Sequence, residues 1–205
     1  MEQTKADTRS RIRKAGKAEF LQKGFKDASL RNIAADAGVT TGAFYGYYSG
    51  KEALFADLVE KHAATVMGWF TAAQEQFSAL PDTEQPAQMS NASVDCIDRI
   101  IDYAYEHYDS FKLLLCCADG TAYDHFIHNM VEIEVESTQR FLQVLRRTGH
   151  AVPNLDADFC HLVCSGMFGG MFETIVHDMP KEKAKIYVQQ LQQFYAAGWR
   201  KLMGI

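Results

Sequence analysis

The chain has 205 residues, 47% hydrophobic and 23% charged, which is enough for a sizeable core in one domain or two small ones. No apolar run approaches the ~18 residues of a membrane-crossing helix, so no span is expected, and MEQTKADTRSRIRKAG has no apolar stretch of a secretory kind. The net charge of −5 hides a split: residues 1–52 carry ten Lys/Arg against six Asp/Glu, and the remainder eleven against twenty, so a basic end that suits a polyanion precedes an acidic body.

A first helix is expected from Thr8 to about Lys23, with Ile12, Gly16 and Phe20 facing inward at four-residue spacing and Gly24 as its stop. Arg9, Arg11, Arg13, Lys14 and Lys17 crowd its start, where the helix dipole disfavours cations, so the cluster is read as reaching for phosphates. Ser29 is placed to cap a second helix, whose apolar stripe is Leu30, Ile33, Ala34 and Ala37. Gly38 breaks that helix, Val39 plugs the turn, and Thr40 caps a third helix over about Thr41 to Tyr47. Two short helices joined by a glycine-containing turn make a helix-turn-helix, whose second helix enters the DNA major groove. Within it Phe44 and Tyr48 are expected inside, Thr41 and Tyr45 outside.

Ser29-Leu30-Arg31, Ile33-Ala34, Ala37-Gly38-Val39, Phe44-Tyr45 and Lys51-Glu52-Ala53-Leu54-Phe55 resemble the TetR (tetracycline-repressor-like) family of bacterial transcription regulators, closely from about Thr8 to Phe55. The resemblance implies that Thr40, Thr41, Gly42 and Tyr45 meet bases or nearby phosphates, and that Ser29, Arg31, Tyr47 and Lys51 meet the DNA backbone. No Arg, Asn or Gln stands on the reading helix, so direct base readout is expected to be sparse and DNA shape to carry more. Gly46 departs from many relatives, which carry a larger residue there.

Ser49 and Glu52 are spaced as a capping box for a fourth helix reaching about Ala79, with Leu54, Phe55, Leu58, Val59, His62, Val66 and Phe70 inward. This helix is the expected mechanical link. Residues 81–93 read as a loop, Val94 to His107 as a helix, and Phe111 to Ala118 as a short apolar run. A long helix is expected from Thr121 to about Arg147, another from Asp156 to about Asp178, and a last one from Lys181 to about Met203. Gly166, Gly169 and Gly170 inside the second of these cost about 1 kcal/mol each against alanine, which close approach of a helix or ligand would offset. These last two helices resemble the family's dimerisation pair.

The fold class is therefore all-α: a three-helix DNA-binding domain at 1–52, then a helical ligand-binding and dimerisation domain at 53–205. The expected partners are double-stranded DNA with a pseudo-palindromic operator, a small-molecule effector, and a second copy through residues 156–203. The function expected is a cytoplasmic regulator, a repressor released by a small apolar or aromatic molecule, with no enzymatic activity, cofactor, metal or membrane. Pocket candidates are Phe70, Tyr103, Tyr105, His107, Phe111, Phe126, Met130, Met167, Phe168 and Met171. Alternatives are a metal- or thiol-sensing regulator, using His125, His128 and Glu132 or the five cysteines, and a helical binding protein or enzyme with a non-functional DNA head.

Overall fold

A computed structural model describes residues 2–89 and 94–205, with only the backbone described at 2–4; the end of the expected loop, 90–93, lies outside the described residues. Regular structure among them is helical throughout. The helices are α1 (Glu2–Asp27), α2 (Leu30–Asp36), α3 (Thr41–Phe44), α4 (Lys51–Ser78), α5 (Gln85–Gln88), α6 (Val94–Glu106), α7 (Tyr108–Cys116), α8 (Phe126–Arg147), α9 (Ala157–Val176) and α10 (Lys181–Met203). They fall into two compact units, one of residues 1–64 with 107–125, the other of 65–106 with 126–205. The units are thus drawn differently from the expected 1–52 and 53–205. The first takes in the opening half of α4, whose Leu54 and Phe55 meet Gly16 and Phe20 of α1, and all of α7, which packs on α1.

In the first unit Phe20, Phe25 and Phe55 form an edge-on aromatic cluster, with Phe20 and Phe25 each within 5.5 Å of the Phe55 ring centroid. Ile12, Ile33, Phe44 and Leu54 are fully buried beside it. Gly16 sits where α1 crosses α4, since a Cβ there would collide with the buried Leu54 side chain. α1 starts earlier than expected, and Gly24, at φ 73, interrupts it before a last turn to Asp27. The expected capping box at α4 does not form. α4 begins at Lys51, with the Gly50 carbonyl accepting from the Leu54 amide, which places Ser49 one residue too early.

In the second unit α8 and α9 pack along their length, joined by Phe126–Phe172, while Phe70 meets Phe168 edge-on at 5.3 Å. α8 starts at Phe126 and not at Thr121. The Thr121 hydroxyl donates to the Ala118 carbonyl and accepts from the Tyr123 amide, which holds that stretch as a turn. Asp156 caps α9 by accepting from the Phe159 amide at 2.9 Å. Of the three glycines in α9, Gly166 leaves room for the Tyr195 hydroxyl of α10, and Gly170 lies in ordinary contact range of Leu191.

One expectation about apolar runs needs correction. By length and composition α9 is apolar enough to cross a membrane, with a mean hydropathy of 1.4. Its charged residues are confined to Asp158 and Glu173 near its ends, and the spacing hid this. Cys160, Cys164, Phe168, Phe172 and Ile175 are buried, as in a core helix, whereas Phe159 and Leu162 are exposed.

Candidate nucleic-acid interface and ligand cavity

The turn between α2 and α3 is built by its backbone. The amides of Gly38 and Val39 donate to the carbonyls of Ala35 and Ala34 at 3.0 and 2.9 Å, and Gly38 at φ 66 takes the left-handed conformation that this closure needs. Thr40 then caps α3, its hydroxyl accepting from the Ala43 amide at 3.1 Å. Phe44 is the anchor, fully buried, and Tyr48 one turn on is buried with it. α3 is shorter than expected, because from Tyr45 to Tyr47 the chain tightens into turns, with the Gly46 amide on the Ala43 carbonyl and Tyr47 on Phe44.

Thr41, Gly42 and Tyr45 are consequently exposed, Tyr45 by 57%. Nothing in the fold demands glycine at 42: its φ is not left-handed, and a Cβ would meet only Thr40 Oγ1, at 3.9 Å. Ser29 caps α2 by accepting from the Asn32 amide at 3.4 Å. Arg31 is exposed and Tyr47 half-buried.

Several basic residues expected to face phosphates are engaged inside the unit. Arg9 and Arg13 both pair with Asp57 of α4, at 3.0 and 2.7 Å, and the Tyr48 hydroxyl donates to the same carboxylate at 2.6 Å. Arg11 donates to the Ala37 carbonyl at the end of α2, and Lys17 pairs with Asp109. The Lys51 ammonium donates to the carbonyls of Phe25 and Lys26 at 2.8 and 2.9 Å, lies 3.5 Å from that of Ala28, and sits over the Phe25 ring. With three protons and three carbonyls, Lys51 ties α4 to the end of α1, which competes with the phosphate role the resemblance implies.

Two acids that sequence reasoning missed organise this unit. Asp57 is one. The other is Glu19, buried, which accepts from Lys23 Nζ at 2.8 Å, the Ser29 amide at 2.9 Å and Asn32 Nδ2 at 3.3 Å. Lys23 and these amide donors hold its carboxyl below the usual range.

Residues 12–58 match the family described as bacterial regulatory proteins, tetR family. The chain is 43% identical to YdgC, an uncharacterised HTH-type transcriptional regulator of Bacillus subtilis, over 53 residues, 26% of this chain and 27% of that protein. The chain thus spans about a quarter of that relative's length. It is 27% identical to SrpR, an HTH-type transcriptional regulator of Pseudomonas putida, over 201 residues, 93% of this chain and 84% of that protein. Residues 12–58 are thus a TetR-type segment. In fold it is similar to SmeT, the repressor of the Stenotrophomonas maltophilia multidrug efflux pump SmeDEF, with a TM-score of 0.57 at 18% identity, covering 94% of this chain and 91% of that one.

The second unit holds an open cavity of about 370 Å³. Its apolar wall includes Phe70, Phe77, Phe141, Phe168 and Trp199. Its polar wall includes Gln74, Glu134, Ser137 and Gln192. The Ser137 hydroxyl donates to Gln74 Oε1 at 2.7 Å, which turns Gln74 Nε2 toward Glu134 Oε2, 2.6 Å away. Burial pushes the Glu134 carboxyl up to about 7, only partly offset by that hydrogen bond. Gln192 Nε2 is buried and has no hydrogen-bond partner among the described residues. A sequence signal for Glu134 was available: it follows Met130 by four residues and precedes Phe141 by seven, on the inward stripe of α8.

Of the ten pocket candidates, Phe70, Met167 and Phe168 line this cavity, and the other seven do not. Tyr103 packs edge-on against Trp69, and the Tyr105 hydroxyl donates to the Met179 and Thr174 carbonyls at 2.8 and 3.3 Å, satisfying the end of α9. His107 and Phe111 belong to the first unit, His107 stacking 4.4 Å from His62, whose pKa burial lowers. Phe126, Met130 and Met171 are buried elsewhere in the core.

His128, Glu132 and His161 gather their donor atoms within 4.8 Å, a group that includes two of the three residues weighed as ligands. His125 instead lies beside Asp124. The His161–Glu132 contact, at 3.0 Å, is an ordinary exposed hydrogen bond. Cys117, Cys160 and Cys164 are buried and Cys96 half-buried, and burial pushes all four thiols up, away from the reactive thiolate.

Proposed function

We propose that this chain is a cytoplasmic DNA-binding transcription regulator, a repressor that leaves its operator when a small molecule occupies the cavity of the second unit. The observation that carries this reading is the exposed end of α3. Thr40 and Phe44 hold the helix in place from within, Thr41 and Gly42 are left outward, and Tyr45, edge-on to Phe44 at 5.9 Å, still has more than half of its surface exposed. A bare glycine lets a nucleic-acid backbone come close, threonine methyls and hydroxyls suit base edges, and a tyrosine hydroxyl suits a phosphate. Names of relatives point the same way: SrpR is called a transcriptional regulator and SmeT a repressor.

A single short helix buries little surface on DNA, so two copies at fixed spacing are required, reading half-sites about 34–36 Å apart or a multiple of that. The interface proposed is residues 156–203. Of the large hydrophobic side chains exposed among the described residues, Phe159, Leu162, Ile186, Tyr187 and Phe194 all lie on α9 and α10. An effector releases DNA only in so far as it favours the conformation that binds DNA poorly. The test is a gel shift on DNA upstream of the chain's own gene. Retarded probe that is lost in Thr41→Ala and Tyr45→Ala supports the reading, and no retardation at low salt refutes it.

A further inference from the structure

Resting on the ligand-binding reading above, we infer that the cavity of the second unit takes a cationic ligand: an aromatic or apolar body carrying a positively charged nitrogen that Glu134 meets, with a hydrogen-bond acceptor within reach of Gln192. Glu134 is the one acidic residue on the wall, and no Lys, Arg or His lines the cavity with it among the described residues. Gln74 engages only Oε2, and it does so from a fixed orientation, since Ser137 occupies the other end of its amide. Oε1 has no hydrogen-bond partner among the described residues.

An apolar chamber of this kind could have been closed with leucine. Instead it holds a carboxyl that burial makes costly to ionise, and a buried amide N–H with no acceptor. Buried polar groups are satisfied in the great majority of cases, so an orphan on a cavity wall marks where a partner from outside completes the set. An anionic ligand meets Glu134 with no base to offset it. A neutral one leaves the carboxyl's charge unanswered. A cation pairs with it beside apolar walls, where the attraction is stronger than in bulk water, and the ring faces of the aromatic wall add to it.

The experiment uses the full-length protein and three probes that share a skeleton: 1-pyrenebutylamine, 1-pyrenebutanol and 1-pyrenebutyric acid, titrated at pH 8 by pyrene fluorescence. The amine should bind at least about tenfold more tightly than the alcohol, with the acid weakest. Glu134→Gln, which keeps the shape and the acceptor for Gln74, should bring the amine down to the alcohol's affinity. Glu134→Asp keeps the charge and should retain a preference for the amine, so a loss from misfolding, which strikes both variants alike, is told apart. Equal binding of amine and alcohol to the wild type, or a preference that survives Glu134→Gln, overturns the cationic ligand but not the cavity. Ala73→Trp, which fills the chamber from its wall, should abolish binding of all three probes. Failure of every probe to bind the wild type, or binding indifferent to Ala73→Trp, overturns the ligand site itself.

Discussion

Lys51 and Arg31 show how a side chain's existing bonds decide what it has left to offer. Both fall at positions where the family resemblance implies contact with the DNA backbone. Lys51 already commits its protons to the carbonyls that end α1, whereas Arg31 is exposed and makes no ion pair among the described residues. Removing a charged donor from partly buried carbonyls costs about 1–3 kcal/mol. Lys51→Ala should therefore lower the melting temperature, read by circular dichroism, and change the salt slope of DNA binding little. Arg31→Ala should leave melting unchanged while the slope of log K against log salt falls by about 0.9, the value for one phosphate no longer neutralised. The reverse pattern would return Lys51 to the phosphates.

Among the elements, local chemistry announced some and concealed others. The turn at Gly38 and the Thr40 cap were legible because each rests on neighbours within five residues, and Phe44 because it falls on the inward side of the short helix. The occupation of Arg9 and Arg13 by Asp57 was not legible, since that pairing joins positions more than forty residues apart. The cavity was legible only as an aromatic composition. Seven of the ten candidates lie elsewhere because an apolar stripe identifies burial and not which buried residues surround empty space. The α9–α10 pair sits between these cases: Gly166 could be read as a close approach, but only coordinates name Tyr195 as what approaches. Its exposed apolar side chains yield a prediction at this scale. Leu162 and Phe194 are each 72% exposed, so charging them should not disturb the folded protomer. Leu162→Glu combined with Phe194→Glu should give a monomer by light scattering at micromolar concentration, with weakened operator binding. A double variant that remains dimeric would move the interface away from α9 and α10.

Stability against pH belongs to the whole molecule, since every titrating group contributes to one folding equilibrium. Groups such as Glu19, paired with Lys23, and Asp102, paired with Lys185 and Lys181, have lowered pKa values, so the stability they add is present above their unfolded pKa and lost as pH falls. Glu134 works in the opposite direction. Its carboxyl stands near 7 in the folded chain against an ordinary 4.5, so between these values the folded state binds more protons than the unfolded one. Its contribution is full below about 4.5 and is lost as pH climbs through 7. At about 1.4 kcal/mol per pH unit over that interval, the loss is on the order of 3 kcal/mol. The titratable groups that feel its charge are the thiols of Cys96 and Cys164, both neutral through this range because burial raises them, and Arg99 acts on Cys96. Neither thiol titrates between 4.5 and 7, so the window belongs to Glu134 alone on this wall. Glu134→Gln leaves the carboxylates elsewhere untouched and removes only this one. Urea unfolding at fixed protein concentration should then show the variant gaining on the wild type from pH 5 to pH 8, by up to that amount. A difference that stays constant with pH would mean that the carboxyl is ionised throughout, and that the chamber is wetter than its walls imply.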